Sequence, residues 1–580
     1  MKRLSLSLSA LILLVSQVLA VSPDFGPNVF IFDPSTPAQE IQRKMDQIHD
    51  SQFLNQFGPE RYAFLFKPGT YSGDFRVAFY MHLAGLGKSP SEVVIDGNVR
   101  TVAWENNRNV TQNFWRALEN MTVQPKEQTV TWAVFQAVPM RRMHFASNLA
   151  LSFAPGWASG GYMADCKIDG KVIPGSQQQW FSRNSAWGNW TNGVWNMVFM
   201  GVENAPAGTW PLKPYTTMDT VPVIAEKPYL YVDKGGAFFV MVPGVKMNSK
   251  GVDWTAEEQG KPLPIADFYI AKSTIDNAAS INAALASGKH LILTPGVYQL
   301  DAPIKVERPN TVVLGLGMAT LQPVKGTSAM EVSDVDGVKI AGILFDAGAQ
   351  NSPSLLQVGE LGSTKDHSTN PTILYDIFCR VGGNGEANVT SAMILNSNDV
   401  IGDHSWIWRA DHGQGAGWTS NKSKNGLIVN EKNTIFYALF VEHFQEYQTL
   451  WNGDNGKLFF YQSEIPYDVP STEAWSHDGV KGWAAYKIAD NVKKHEATGL
   501  GIYSYFRDGP VTMDNAAEAP KDAGIKFTNI MTFWLTGNDA SAINSVINGI
   551  GEPATKTHRW VRVTSYPPAL RAIESSQPCF

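Results

Sequence analysis

The sequence predicts an all-β protein made of two tandem right-handed parallel β-helix domains, the pectate-lyase-like architecture. The first observation is an internal repeat, because a similar series of elements occurs twice at an offset of 227 residues. The second is a succession of short β-rich runs separated by glycine, asparagine and aspartate, as in residues 337–346. The third is that no helical periodicity is sustained for long anywhere in the chain.

The repeat places the same elements in the same order in both halves. In the first half, residues 41–48 are predicted to form a short helix, followed by a strand and a Pro-Gly-Thr-Tyr turn at 68–71. In the second half, residues 278–286 are predicted to form a helix with Asp276 as its cap, followed by a strand and a Pro-Gly-Val-Tyr turn at 295–298. A Gly-Leu-Gly turn follows in each case. We therefore expect two domains of common architecture.

The domain boundaries follow from the repeat and from a change in composition. The stretch 246–264 is polar and is predicted to be a linker. The predicted divisions are a signal peptide at 1–20, a first β-helix domain at 21–245, a second at 265–567 and a C-terminal tail at 568–580.

The start of the chain resembles a secretory signal peptide. Lys2 and Arg3 precede a short apolar run, and small residues end at Ala20, where cleavage is expected. No later apolar stretch reaches the length of about 18 residues that a membrane span needs. We expect a soluble, secreted protein that does not bind membranes. Asn-x-Ser/Thr sites predict exposed, glycosylated positions at Asn109, Asn120, Asn189, Asn388 and Asn421.

Charge and composition exclude several functions. The net charge is −6 and no basic run has interleaved aromatics, so nucleic acid is not an expected partner. The three cysteines permit at most one intramolecular disulfide, and neither they nor the dispersed histidines have metal-ligand spacing. No metal or cofactor is therefore expected. Only 17% of residues are charged while 18 are tryptophan, which is typical of extracellular all-β proteins that handle neutral sugars.

Two glutamates in matching settings are the candidate catalytic residues. Glu442 and Glu464 are 22 residues apart, a separation that matches one coil and stacks them on neighbouring strands about 4.8 Å apart. Two carboxylates held so close repel each other, and one is expected to keep its proton at neutral pH. A protonated carboxylic acid beside a sugar-binding groove is what glycosidic bond cleavage requires. The alternative is that both are surface acids on solvated turns.

Tryptophans are candidates for stacking on pyranose rings, or alternatively for the core that stacks the coils. They fall in both halves, at Trp180, Trp187, Trp190, Trp195, Trp406, Trp408 and Trp451. Asp411 and His412 are candidates for the cleft, with a buried, structurally satisfied histidine as the alternative.

Several motifs together resemble glycoside hydrolase family 55, the exo-β-1,3-glucanases. The second half contains Trp-Ile-Trp-Arg-Ala-Asp-His at 406–412, Val-Glu-His at 441–443 with Tyr447, and Gln-Ser-Glu-Ile-Pro-Tyr at 462–467. The first half contains Ser-Gly-Gly-Tyr-Met-Ala-Asp at 159–165 and Gln-Gln-Trp-Phe-Ser-Arg-Asn at 178–184. The matched motifs are in the family's order across residues 60–510. The chain is shorter than typical members, and residues 468–481 do not match.

The resemblance implies an active site in the cleft between two β-helices and hydrolysis of β-1,3-glucan with inversion. It implies that Glu464 is the general acid and Glu442 the second important glutamate, with Gln178 or Gln179 near the attacking water. The residues expected to bind a polysaccharide or oligosaccharide substrate are Gln178, Gln179, Trp180, Trp408, Asp411, His443, Tyr447 and Trp451. We expect a monomer.

Two other functions stay open at this point. A polysaccharide lyase on a β-helix uses a lysine or arginine base, usually with calcium and a basic patch that binds uronates. A non-catalytic glycan-binding protein keeps the tryptophans but does not need both glutamates.

Overall fold

A computed structural model describes residues 22–104, 108–255 and 260–568. The predicted signal peptide and Cys579 lie outside these residues. Cys166 and Cys379 are buried free thiols. Among the described residues, no helix has the length and apolar character needed to cross a membrane.

The first half is built on a 15-stranded sheet whose strands all pair in parallel. Its central path runs through Val29–Phe32, Tyr62–Phe66, Met81–Gly85, Ala117–Gln124, Pro139–Phe145, Tyr162–Ala164, Gln179–Arg183, Asn196–Met200 and Tyr215–Met218. The remaining strands are Gly69–Arg76, Val93–Arg100, Thr129–Thr131, Asn148–Ala150, Lys167–Ile173 and Ala186–Trp190.

The second half has two long sheets. The 12-stranded sheet runs through Phe268–Ala271, His290–Leu293, Val312–Pro323, Lys339–Asp346, Ile373–Val381, Ile401–Arg409, Ile435–Glu442, Gly456–Glu464, His495–Phe506, Ile525–Gly537 and Trp560–Tyr566, with Val297–Leu300 beside it. The eight-stranded sheet contains Ile304–Val306, Met330–Val332, Leu356–Gly359, Ser391–Asn396, Asn425–Val429, Thr449–Trp451, Tyr486–Ile488 and Ala517–Glu518. Within these two sheets, the final strand Trp560–Tyr566 pairs antiparallel and the others pair in parallel. The predicted all-β, parallel β-helix class is confirmed.

Short antiparallel strands connect the halves. Val221–Ile224 pairs with Lys246–Ser249, and Phe238–Pro243 lies between Tyr229–Val232 and Gly260–Pro264. The stretch predicted to be a linker therefore carries two paired strands, and the domain boundaries themselves stay a prediction. Two further strand pairs are Ser476–His477 with Val480–Lys481 and Thr512–Met513 with Ala542–Ile543.

The described residues contain two α-helices, and both fall where the repeat predicts them. One is Ala38–Gln52, longer than the predicted segment, and the other is Ala278–Ala286. The cap of the second helix is Asn277, not Asp276, because the Asn277 side chain accepts from the Ser280 backbone N–H while Asp276 accepts from the Lys272 N–H. Short 3₁₀ turns form at Pro90–Glu92, Ile265–Asp267 and Glu473–Trp475.

The tyrosine of each Pro-Gly-x-Tyr turn has the same structural role. The Tyr71 hydroxyl donates to the carbonyls of Phe32 and Lys67, at 3.1 and 2.7 Å. The Tyr298 hydroxyl donates to the carbonyls of Ala271 and Thr294, at 2.8 and 3.1 Å. In both halves, therefore, a buried tyrosine ties the turn to the preceding strand, which explains why the repeat keeps this residue.

The long strands of the 12-stranded sheet bend at one residue with a left-handed backbone. Successive coils place this residue at equivalent positions, which are Gly342, Asp376, His404, Ala438, Phe460, Gly499 and Asn529. Several of these residues contact the first half. Asn196, for example, donates to the Gly499 carbonyl, and Asn529 donates to Thr216. The bends therefore form a column along the boundary between the halves.

Buried ion pairs also join the halves. Arg141 contacts Asp376 at 2.7 Å and Asp403 at 2.8 Å. Arg183 contacts the same Asp403 at 2.7 Å and Glu226 at 2.5 Å. All of these side chains are at most 4% exposed. Water cannot solvate these charges, so each depends on its partner.

Two of the predicted glycosylation sites are not on the surface. Asn120 is 1% exposed and Asn421 is fully buried. The Asn120 amide donates to the carbonyls of Gly85 and Gly87, and the Asn421 amide to those of Val381 and Ala410. Both amides are used in hydrogen bonds to backbone carbonyls in the folded protein, so the prediction that these two sites are exposed is wrong. Asn189, by contrast, is exposed.

Candidate active site

A cavity of about 880 Å³ lies between the two halves and is lined by both. The first half contributes Asn109, Thr111, Gln112, Phe114, Phe135, Pro155, Trp157, Ser159, Ser176, Gln178, Val194 and Trp195. The second half contributes Trp406, Trp408, Asp411, His412, Glu442, His443, Glu464, Tyr467, Tyr503, Tyr505, Phe533, Leu535, Thr536 and Arg559. Aromatic walls with a few convergent polar groups are typical of ligand sites.

The two glutamates are stacked as the spacing predicts. Glu442 ends the strand Ile435–Glu442, and Glu464 ends the neighbouring strand Gly456–Glu464. The parallel register pairs Glu442 directly with Glu464. Parallel pairing with a 22-residue coil therefore brings both carboxyl groups to the same wall of the cavity.

Glu442 is held by one donor from each half of the molecule. Gln136 Nε2 donates to Glu442 Oε1 at 2.5 Å, and Trp406 Nε1 donates to Oε2 at 2.8 Å. Glu442 is only 2% exposed. Burial raises its pKa well above the ordinary value, and the negative charge of Glu464 adds to that effect.

Glu464 is more open to the cavity, with a side chain that is 11% exposed. It accepts hydrogen bonds from Gln462 Nε2, at 3.2 Å, and from the Tyr467 hydroxyl. Burial is the largest cause that raises its pKa to about 7, the charge of Asp411 adds to it, and the Tyr467 bond opposes it. The two carboxyl groups therefore repel each other as the stacking predicts, with the effect falling on the pKa of Glu442, and Asp411 is a further charge that raises the pKa of Glu464.

Asp411 and His443 line the cavity beside Glu464. His443 Nε2 lies 4.0 Å from Glu464 Oε2 and 3.9 Å from Asp411 Oδ1. Burial lowers the pKa of His443 to about 4, so its ring is neutral at pH 7. Burial alone would raise the pKa of Asp411, but the hydrogen bond with His412 and the neighbouring imidazole rings of His443 and His412 together outweigh it and lower that pKa to about 2. His412 lines the cavity too, with a 42% exposed side chain, so of the two alternatives the structure favours the cleft.

The adjacent glutamines Gln178 and Gln179 have different places. Gln178 lines the cavity. Gln179 is fully buried behind the wall, where its amide donates to Ser159 Oγ at 3.3 Å and its oxygen accepts from the Tyr503 hydroxyl at 2.7 Å. Both Ser159 and Tyr503 line the cavity, so Gln179 acts on the site through them.

Of the four aromatic residues predicted to bind sugar, the structure brings only Trp408 to the cavity. Its ring stacks on Trp406 with centroids 4.9 Å apart, and both line the site. Trp180 and Trp451 are fully buried, because their rings pack on Gly161 and Gly456, where any side chain would collide with them.

Tyr447 is also outside the cavity. It packs edge-on against His477 and Trp483, with centroids 5.9 and 4.8 Å away. Trp187 and Trp190 are buried against Phe199, whereas Trp195 does line the site, stacked on Phe533 at 4.6 Å.

Several residues of the site carry no recognisable signal in the sequence. Gln136 is separated from Glu442 by 306 residues and stands in an apolar run with no motif. Trp157, 65% exposed at the cavity, and Arg559, over the Phe533 ring at 5.1 Å, were likewise not predicted. Docking of the two halves brings Gln136 and Trp157 to the carboxyl pair and its cavity, whereas Arg559 belongs to the same half as that pair.

Comparison with known proteins gives consistent matches. The family model described as the LAM55 pectate lyase-like domain matches residues 268–464. An exo-beta-1,3-glucanase of Streptomyces sp. (strain SirexAA-E / ActE) is 48% identical over 538 residues, which are 92% of this chain and 88% of that protein. The structure of sacteLam55A from Streptomyces sp. SirexAA-E matches with 46% identity and a TM-score of 0.92, over 95% of this chain and 100% of that one. A variant of sacteLam55A in complex with glucose matches equally well.

Proposed function

The chain belongs to glycoside hydrolase family 55 and is a glycoside hydrolase, and on that premise we propose that it cleaves β-1,3-glucan with inversion in the cavity between its two halves. The observation that carries the proposal is the stacked pair Glu442 and Glu464. Both side chains are largely buried, and both line the same aromatic-walled cavity. The name of the bacterial relative supports the substrate class.

Glu464 is assigned the role of general acid. Its pKa of about 7 leaves it largely protonated at mildly acidic pH, and its position at the cavity gives it access to a glycosidic oxygen. Glu442 is anchored by Gln136 and Trp406, so it is fixed in place beside the acid.

Inversion requires water to attack from the face opposite the acid, with room between the acid and the base. The two carboxyl groups lie on neighbouring strands and therefore on the same wall of the cavity. That wall cannot activate a water that must attack the sugar ring from the side opposite the acid. The first-half wall faces them with Ser159, Ser176 and Gln178. We assign the water to that wall.

Product analysis on laminarin tests the proposal. We expect reducing sugar to be released, with the α-anomer appearing first in the proton NMR spectrum because inversion converts a β-linkage. If the β-anomer appeared first, the mechanism would be retaining and the proposal of inversion would be wrong. An unsaturated product absorbing in the ultraviolet would instead indicate a lyase, and no turnover on a panel of neutral glucans would indicate a glycan-binding protein.

Asp411→Asn is expected to move the basic limb of the pH–rate profile to lower pH. A general acid works in its protonated form, so the rate falls as pH rises through the pKa of Glu464. The negative charge of Asp411 raises that pKa, and removing the charge lowers it. Measuring kcat/KM on laminarin across pH checks this, with Asp539→Asn, an exposed carboxylate, as the control. An unmoved basic limb in Asp411→Asn contradicts the assignment.

We propose that the protein is secreted, supported by the charged start and short apolar run that end at Ala20. N-terminal sequencing of protein from the culture medium of the source cells is expected to begin at Val21. A chain that retains Met1 and stays inside the cells would contradict it.

A further inference from the structure

His404 lies at the boundary between the halves, behind the active-site wall. It is one of the bend residues, on the strand Ile401–Arg409, and is fully buried. Its ring stacks on Tyr162 of the first half with centroids 4.4 Å apart and an interplanar angle of 5°. Phe378 and Phe440 pack against the ring edge-on. Only its two nitrogens meet polar atoms.

Both ring nitrogens of His404 face hydrogen-bond acceptors. Nε2 lies 3.0 Å from the backbone carbonyl oxygen of Gln136, and Nδ1 lies 2.9 Å from Asp376 Oδ1. A carbonyl oxygen can only accept, so Nε2 must donate. Burial alone would raise the pKa of Asp376, but Arg141 and Lys227 outweigh it and hold that pKa well below the ordinary value. The carboxylate therefore also accepts, and Nδ1 must donate as well.

We propose that His404 is an imidazolium that acts as a positioning residue, holding Gln136 so that its side chain fixes Glu442. A neutral ring has one donor and one acceptor nitrogen, so it would point a lone pair at one of the two oxygens. The functional part rests on the proposed glycosidase activity, whereas the protonation state does not.

The charges around His404 agree with a protonated ring. Three cations, Arg141, Arg183 and Lys227, pair with four carboxylates in one buried cluster. The carboxylates are Glu119, Glu226, Asp376 and Asp403. An imidazolium at His404 supplies the fourth positive charge, and a buried cluster with balanced charge is far less costly than one with a spare anion.

A second buried histidine of this cluster has the opposite geometry. His82 Nδ1 accepts from the backbone N–H of Gly317 at 3.2 Å, so that nitrogen carries no proton. Its Nε2 faces Glu119 at 3.6 Å. Burial lowers the pKa of His82. His82 is therefore neutral, and it provides a matched comparison within the same interface.

Gln136 is the link from His404 to the reacting groups. Its backbone has a left-handed φ of 28°, a conformation that needs support from neighbouring groups. His404 binds the carbonyl oxygen of Gln136, and the side-chain amide of Gln136 donates to Glu442 at 2.5 Å. Loss of the clamp lets the peptide relax and moves the amide away from Glu442.

Neutron diffraction on crystals of the wild-type protein tests the protonation state directly. We expect hydrogen or deuterium density on both ring nitrogens of His404, and on Nε2 alone of His82. Density on only one nitrogen of His404 overturns the proposal. This measurement does not depend on turnover, so it stands even if laminarin is not the substrate.

Kinetics of His404→Gln and His82→Gln test the positioning role. The two N–H bonds of a glutamine amide share one nitrogen and cannot reach oxygens that lie beside two different ring nitrogens of His404. The ionised Asp376 takes the stronger, charge-assisted bond, so the Gln136 carbonyl loses its clamp. We expect kcat on laminarin to fall on the order of 10²-fold in His404→Gln with little change in KM, since displaced catalytic groups cost about that much. His82→Gln is expected to keep kcat. An unchanged kcat in folded His404→Gln overturns the positioning role, and an inactive wild-type protein would overturn the proposed function instead.

Discussion

Glu464→Gln is expected to abolish turnover of laminarin while leaving the fold and sugar binding intact. The amide has nearly the shape of the carboxylic acid, so packing around Tyr467 and Gln462 is preserved. An amide cannot protonate the departing oxygen, however, and general acid catalysis contributes on the order of 10²–10⁴-fold to the rate. The measurement is kcat on an unactivated glucan, together with calorimetric titration of the product.

The matched control is Glu496→Gln. Glu496 lies on the strand that follows Glu464 in the same sheet, but its side chain is 39% exposed and it does not line the cavity. Wild-type kcat is expected in this control. A loss of less than tenfold in Glu464→Gln would remove Glu464 from the role of acid.

Local patterns in the sequence predict the coils well. The spacing of 22 residues identifies the stacked glutamates, because one coil of the β-helix returns the chain to the neighbouring strand. The Pro-Gly-x-Tyr turns are recognisable for the same reason, since Tyr71 and Tyr298 bond to carbonyls within their own coil and the one before it. These contacts join neighbouring coils, so they leave a periodic pattern in the sequence.

Which face of a strand a side chain occupies is harder to predict. Trp408 and Trp451 are both aromatic residues in strands, yet one lines the cavity and the other fills the core of the second half. Trp451 belongs to the eight-stranded sheet and packs against His495 at 4.6 Å, on the inside of the coil. Parallel strands buried on both faces show no alternation that would separate the two cases.

Contacts between the halves leave no trace in a single sequence. Gln136 reaches Glu442, and Arg141 reaches Asp376, across 306 and 235 residues. Nothing in the spacing of these residues specifies the partner, because the docking of two rigid coils determines it. The class of reaction could therefore be predicted from the sequence, but the hydrogen bond from the first half that holds Glu442 of the catalytic pair could not.

Arg183→Met is expected to destabilise the folded protein by about 3–5 kcal/mol, the cost of removing one partner from a buried ion pair. Arg183 is fully buried and joins Glu226 of its own half to Asp403 of the other. Without the guanidinium, Asp403 keeps Arg141, but the one hydrogen bond that the described part of the chain leaves to Glu226 is a 3.4 Å contact from the Asn184 amide. Methionine has similar length and no charge, so the loss comes from the unpaired carboxylate and not from a large cavity. The denaturant midpoint, followed by tryptophan fluorescence, measures the change.

The comparison that isolates burial is Lys556→Met. Lys556 pairs with Asp539 at 2.5 Å, a separation like those of Arg183, but the two side chains are 55% and 65% exposed. Exposed pairs contribute about 0–1 kcal/mol because water solvates each charge nearly as well as its partner does. Equal, small shifts in both variants would show that Glu226 is solvated or protonated once Arg183 is removed, and that the two halves do not depend on this ion pair. A large shift in Arg183→Met alone identifies this buried ion pair as a contact on which the stability of the two halves depends.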